Sequence, residues 1–144
     1  MVKLGIANDH AGYGLKQFIK KWLSEKGYDI VDFGSGSSES CDYPDFAHPL
    51  AYSVEKGEVD LGISMCGSGN GINMVVNKHQ GIRAGLCWNK EIARLARAHN
   101  NANICSLPAR FISADEAKEI IETFLSTNFD GGRHLARINK IPIK

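Results

Sequence analysis

The chain has 144 residues, of which 43% are hydrophobic and 23% charged, and its formal net charge at pH 7 is +1. This length suits a single domain, residues 1–144, with a hydrophobic core of its own. The even charge distribution argues against a nucleic-acid or membrane surface, which needs a basic patch. The longest apolar runs are too short to span a bilayer, and the first residues lack the apolar stretch of a signal peptide, so we expect a cytoplasmic protein.

Short apolar runs alternate with longer amphipathic ones along the chain. Strands are predicted at 2–8, 28–34, 60–66, 81–88 and 102–108. Helices are predicted at 14–27, 45–56, from the glycine turn to about 78, 89–100 and 113–127. Asn89 is a candidate N-cap, and Ser113 with Glu116 has capping-box spacing. The pattern predicts an α/β fold with three α/β/α layers, a five-stranded, mostly parallel, Rossmann-like sheet, and a basic C-terminal arm at about 129–144.

Ligands bind such sheets outside the carboxyl ends of the strands, where this chain has a glycine-rich turn at 66–71. The spacing of Gly67, Gly69 and Gly71 fits neither the dinucleotide-binding nor the ATP-binding glycine motif. The turn is therefore either an anion cradle made of backbone N–H groups or only a tight strand-to-helix connection. Cys66, at its entrance, is either a base or nucleophile near the start of a helix or an inert buried thiol. Ser68 is either an oxyanion donor or a turn residue.

Other polar side chains also have two interpretations. Asp9 and His10 follow the first strand and suit either a ligand site or a helix cap with a surface histidine. His99, followed by Asn100, lies at a helix end, where histidine is often only favourable to the helix dipole. Four cysteines and five histidines show no metal-ligand spacing, so we expect no metal site.

Two arginines near the C-terminus, Arg133 and Arg137, are four residues apart. On a helix they project from one face and make a natural phosphate clamp, although a solvated basic tail is the commoner role of such a stretch. Arg110, which follows the fifth strand, fits either kind of role.

Several motifs, taken together, resemble the ribose-5-phosphate isomerase B family. They are DHAG at 9–12, DYPD at 42–45, CGSGNGINMVVNK at 66–78, GIRA at 81–84, HNNAN at 99–103, Arg110, and GGRHLAR at 131–137. The motifs occur in order along nearly the whole chain. The wider family includes galactose- and allose-phosphate isomerases.

The resemblance implies an aldose–ketose isomerase that interconverts ribose 5-phosphate and ribulose 5-phosphate through a cis-enediolate, without metal or organic cofactor. Cys66 would be the base that moves the proton between C2 and C1. His99 would assist ring opening, and Asp9 would contact the sugar hydroxyls. The enediolate would be stabilised by the hydroxyl of Ser68, where the family usually has threonine, and by backbone N–H groups of the turn, namely Gly67, Gly69, Asn70 and Gly71.

The resemblance also implies how the substrate is held. His10, Arg133 and Arg137 would bind the phosphate, Asn100 the sugar, and Tyr43 would form a pocket wall. Arg110 would reach across from a partner subunit, because the family forms dimers with shared sites, and a tetramer is also open. Two alternatives remain: a hexose 6-phosphate isomerase for allose or galactose 6-phosphate on the same scaffold, and a non-catalytic sugar-phosphate binding protein.

Overall fold

A computed structural model describes residues 2–144 and shows a five-stranded parallel sheet. The strands are β1 (Lys3–Asn8), β2 (Asp29–Asp32), β3 (Leu61–Cys66), β4 (Ala84–Leu86) and β5 (Ile104–Pro108). Their order is β2-β1-β3-β5-β4, and every neighbouring pair is parallel. The helices are α1 (Tyr13–Glu25), α2 (Pro44–Glu55), α3 (Asn70–Val76), α4 (Lys90–Ala98), α5 (Ala114–Ser126) and α6 (Arg133–Ile138), with a short 3₁₀ helix at His10–Gly12.

Helices cover both faces of the sheet, which confirms the predicted three-layer fold. On one face, α1, α4 and α5 pack against the sheet through fully buried side chains such as Ile19 and Phe124. On the other face, α2 and α3 bury side chains such as Leu50 and Ile72. The central strands are therefore apolar on both sides, as expected for a parallel sheet whose crossovers place helices on each face.

The predicted caps form as the sequence indicates. The Asn89 side chain accepts a hydrogen bond of 2.8 Å from the Ile92 N–H at the start of α4. Ser113 and Glu116 exchange the two hydrogen bonds of a capping box at the start of α5. Each cap satisfies backbone donors that the first helical turn leaves unpaired.

The fourth strand is much shorter than the predicted 81–88. The Ile82 N–H donates to the His79 carbonyl in a turn, and the Arg83 N–H donates to the Asn103 side chain instead of to a strand partner. Side-chain and turn acceptors therefore take the N–H groups of Ile82 and Arg83 away from the ladder, although the Arg83 carbonyl still accepts 2.9 Å from the Asn103 N–H. Apolar periodicity does not reveal this competition.

The C-terminal segment lies at the amino end of the sheet, where the strands begin. The Asp130 N–H donates 2.9 Å to the Ala98 carbonyl at the end of α4, and the backbone of Ile143 is bonded to the Gln80 side chain. None of the helices described for residues 2–144 combines the length and apolar character needed to cross a membrane.

Candidate active site

The carboxyl ends of β1 and β3 meet at the centre of the sheet. Their register pairs Asn8 with Met65, and the Asp9 N–H donates 3.3 Å to the Met65 carbonyl. Asp9 and Cys66, each just past one of these two residues, are therefore neighbours at one end of the sheet. The chain leaves β1 toward β2 on one side and reaches β3 on the other, so this is the topological switch point, where open α/β sheets bind ligands.

Asp9 is only 6% exposed, and its Oδ1 accepts hydrogen bonds of 2.9 and 3.2 Å from the N–H groups of Ala11 and Gly12. The capping interpretation of Asp9 is therefore correct. The cap also fixes the carboxylate at the switch point, where a ligand role for it stays a prediction.

Cys66 is the last residue of β3 and is 5% exposed. Its carbonyl accepts 2.9 Å from the Ala109 N–H, and the Gly67 carbonyl accepts 3.0 Å from the Arg110 N–H. These bonds continue the pairing of β3 with β5 into the loop, because a backbone carbonyl buried without a partner is costly. The thiol is thus held on a rigid strand end rather than on a mobile loop.

The turn after Cys66 needs glycine for definite reasons. Gly69 has φ of +79°, a left-handed conformation, and a Cβ atom there would lie 2.5 Å from Leu86 Cδ1. A Cβ atom on Gly71 would lie 2.5 Å from the Tyr43 ring. The Ser68 hydroxyl accepts 3.2 Å from the Asn70 N–H, so Ser68 shapes the turn as well as being exposed at its surface.

His10 begins the 3₁₀ helix whose next residue, Ala11, lies against Gly67 of this turn. The His10 Nδ1 accepts 3.2 Å from the Cys41 N–H. Since Nδ1 is the acceptor, the proton of the neutral ring lies on Nε2, which is left as a donor. A ligand oxygen is the natural partner for such a donor.

The Arg110 guanidinium lies on its own chain's turn, contrary to the expectation that it reaches across from a partner subunit. A Cβ atom on Gly67 would lie 3.3 Å from Arg110 Nη1 and 3.6 Å from the Ala11 Cβ. The backbone bond between Arg110 and Gly67 brings the side chain there. One cluster thus gathers at the carboxyl end of the sheet: Asp9, His10, Tyr43, Cys66, Gly67, Ser68, Gly69, Asn70, Gly71 and Arg110.

The remaining predicted residues lie at the opposite end of the sheet. His99 follows α4, and the Asn100 carbonyl accepts 3.2 Å from the Arg83 side chain, just before β4 begins. Arg133 and Arg137 are exposed on α6, which follows Asp130 at this same end. Strand β3 alone, from its pairing at Gly62 to Cys66, spans about 13 Å. Within one chain the structure therefore does not bring His99, Asn100, Arg133 and Arg137 to Cys66.

Asp130 and His134, at the amino end of the sheet, were not singled out from the sequence. The rings of His99 and His134 are stacked with centroids 4.2 Å apart, and Asp130 lies beside them. Partial burial, followed by the nearby His99 and Arg133, lowers the pKa of His134. Asp130 and His134 follow His99 by more than thirty positions in the chain, so no sequence spacing signals the cluster.

Comparison with known proteins gives relatives over nearly the whole chain. A family model described as Ribose/Galactose Isomerase matches residues 4–141. Ribose-5-phosphate isomerase B of Escherichia coli strain K12 is 40% identical over 141 residues, which are 98% of this chain and 95% of that protein. A probable ribose-5-phosphate isomerase B of Mycoplasma genitalium is 44% identical over 138 residues, 94% of this chain and 91% of that protein.

Solved structures show the same similarity. A ribose 5-phosphate isomerase from Thermotoga maritima has a TM-score of 0.97 and 51% identity, covering 98% of this chain and 97% of that one. Ribose-5-phosphate isomerase B from Mycoplasma genitalium, solved with bound ribulose-5-phosphate, has a TM-score of 0.93 and 43% identity. The match covers 97% of this chain and 93% of that one.

Proposed function

Because the chain belongs to the ribose/galactose isomerase family, we propose that it interconverts ribose 5-phosphate and ribulose 5-phosphate, with Cys66 as the catalytic base. The main support is the position of Cys66, which ends β3 at the topological switch point, between the glycine turn and the capped Asp9. The related structure with bound ribulose-5-phosphate supports the choice of substrate.

In the proposed reaction, the Cys66 thiolate removes the proton from C2 of the open-chain aldose. The electrons of that C–H bond form the cis-enediolate, and the same proton returns to C1 while the hydroxyl proton on O2 passes to O1. These transfers convert the aldose into the ketose with no net loss of atoms or electrons. The low exposure of Cys66 keeps bulk water from exchanging with the proton during the transfer.

The enediolate needs hydrogen-bond donors aimed at its developing charge. In this proposal the donors are the Ser68 hydroxyl and the N–H groups of Gly67, Gly69 and Gly71, while the Asn70 N–H is bonded to the Ser68 oxygen and orients that hydroxyl. Each such donor contributes roughly 2.7–4 kcal/mol to transition-state stabilisation in enzymes where one was removed. These donors supply the charge stabilisation that a Lewis-acid metal ion gives at other sites, so the proposed reaction needs no metal.

The proposal includes a second copy of the chain in each active site. Cys66 and His99 lie at opposite ends of one sheet, so the His99 that opens the furanose ring comes from a partner. Asn100, Arg133 and Arg137 lie at the same end as His99 and come with it, while Arg110 stays with its own Cys66. The phosphate is then bound between His10 of one subunit and the two arginines of the other, which positions the reacting carbons.

Mixing two inactive variants tests this shared site. Cys66→Ala and His99→Asn are refolded together in equal amounts, so that half of the dimers are mixed. One of the two sites in a mixed dimer then has both native residues, and we expect about a quarter of the wild-type rate. If the mixture stays as inactive as each variant alone, the two residues belong to the same subunit's site and the proposal of sharing is wrong.

The base assignment is tested with purified protein assayed in EDTA. Cys66→Ala should lower kcat by about 10²–10⁴, the usual contribution of a positioned acid or base. Cys41→Ser is the matched control, because it changes a half-buried thiol but keeps the N–H bonded to His10. Full activity of Cys66→Ala refutes the assignment, and loss of wild-type activity in EDTA refutes metal independence.

The family description names galactose as well as ribose, so a hexose 6-phosphate substrate is the second candidate. A hydrophobic pocket discriminates one extra methylene by only about 1–3 kcal/mol, so the extra hydroxymethyl group of a hexose is a weak barrier to binding. Values of kcat/KM for ribose 5-phosphate, allose 6-phosphate and galactose 6-phosphate rank the candidates. A higher value for a hexose overturns the pentose proposal, and binding without turnover of any of the three indicates a non-catalytic protein.

A further inference from the structure

Three side chains with metal-ligating atoms meet at the amino end of the sheet. One donor atom from each of His99, Asp130 and His134 lies within 4.8 Å of the other two. Ligands of a tetrahedral zinc ion, at metal distances near 2.0–2.1 Å, are separated by about 3.4 Å. The 4.8 Å is an upper limit, and the partly or fully exposed side chains of His99, Asp130 and His134 have room to rotate toward the spacing that zinc needs.

The backbone already holds the three residues together. The His99 N–H donates 2.9 Å to the Leu95 carbonyl at the end of α4, and the Asp130 N–H donates 2.9 Å to the Ala98 carbonyl, one residue before His99. The His134 N–H donates 3.2 Å to the Gly131 carbonyl in the first turn of α6. The donor set is therefore built on two anchored segments rather than on a loose loop.

The charges around the cluster select the kind of metal. Asp130 supplies a negative charge, while Arg133 and Arg137 oppose any cation. Ca²⁺ and Mg²⁺ depend on oxygen ligands and charge, and this site offers one carboxylate beside two arginines. Two imidazoles suit Zn²⁺ and similar transition metals, whose bonds to nitrogen are strong.

We propose that His99, Asp130 and His134 bind a transition-metal dication of the Zn²⁺ type, and that the bound metal inhibits the isomerase. The inhibition rests on the proposed function, because the metal occupies the His99 imidazole that would assist ring opening. All three ligands belong to one chain, so each subunit has its own site. The metal is an inhibitor in this proposal and takes no part in the isomerisation.

Binding is measured first, without any assay of activity. Zn²⁺ is titrated into the metal-free protein in competition with a chromophoric chelator, in the presence of a non-thiol reductant. We expect one Zn²⁺ per chain, and Asp130→Asn and His134→Asn should each weaken binding by at least about tenfold, as even the loss of a supporting residue does at metal sites. His48→Asn is the matched control, since His48 belongs to another histidine pair, with His79, and should change nothing.

If the wild type and His134→Asn bind Zn²⁺ with equal affinity, and circular dichroism shows both proteins to be folded, the proposed metal site is wrong. Activity is measured second. Zn²⁺ should inhibit the wild type, EDTA should reverse that inhibition, and Mg²⁺ should have no effect. The Asp130→Asn variant should keep its turnover in the presence of Zn²⁺. Zn²⁺ binding without inhibition overturns the inhibitory role. If the protein turns over no sugar phosphate, the proposed function fails, while the titration still decides the metal site.

Discussion

Gly69→Ala tests whether the turn after Cys66 depends on the backbone geometry of one glycine. Gly69 has φ of +79°, and an added Cβ atom would lie 2.5 Å from Leu86 Cδ1 and 3.0 Å from the Leu107 carbonyl oxygen. The left-handed conformation costs an ordinary residue about 1–2 kcal/mol, and overpacking against a core side chain costs about 1–3 kcal/mol. The Leu107 carbonyl belongs to β5 and cannot move aside, so we expect the free energy of unfolding to fall by about 2–5 kcal/mol.

The loss is measured by urea and thermal unfolding at one fixed protein concentration, because association with other copies also changes apparent stability. At roughly 4 °C per kcal/mol for a chain of this size, Tm should fall by about 8–20 °C. Gly14→Ala is the matched control: Gly14 lies in α1 with open space around it and should lose nothing. A Gly69→Ala variant within about 0.5 kcal/mol of wild type refutes the reasoning, because that is the range of neutral surface changes.

Three further predictions follow from local contacts. Gly71→Ala pushes against the ring of Tyr43, which is 36% exposed and free to swing outward, so stability should change little while KM rises in the isomerase assay. Burial raises the pKa of Asp32, but hydrogen bonds from the Gly34 N–H, Lys16 and Lys20 outweigh burial and hold the pKa below its ordinary value. The charged Asp32 carboxylate therefore stabilises the fold fully at pH values above its ordinary pKa, and this stabilisation is lost as the pH falls through the lowered pKa. Asp32→Asn should be less stable than wild type at pH 7, and the gap in urea midpoints should close in acid; a gap independent of pH contradicts this. Asn89→Ala should cost about 1 kcal/mol in urea unfolding through the lost cap of α4, and no measurable loss argues against the cap.

The fold was predictable because its signals are local. Asn89, Ser113 and Glu116 act through bonds to residues three positions away, and apolar spacing reports which side of each element is buried. The start of β4 was not predictable, since it depends on the Arg83 N–H donating to the side chain of Asn103, twenty residues away. The capping role of Asp9 was one of two interpretations, and only the geometry of the 3₁₀ helix decides that it holds.

By itself, the sequence determined the alternating strands and helices, the glycine turn at the end of β3, and the place of Cys66 at its entrance. Only the tertiary structure decided which candidate residues meet. Parallel strands send every helix back from the carboxyl end of the sheet to the amino end, so residues that follow strands collect at one end and residues that follow helices at the other. Cys66 and Arg110 therefore lie together, His99 lies away from them, and Asp130 and His134 come to His99 from a distant part of the chain.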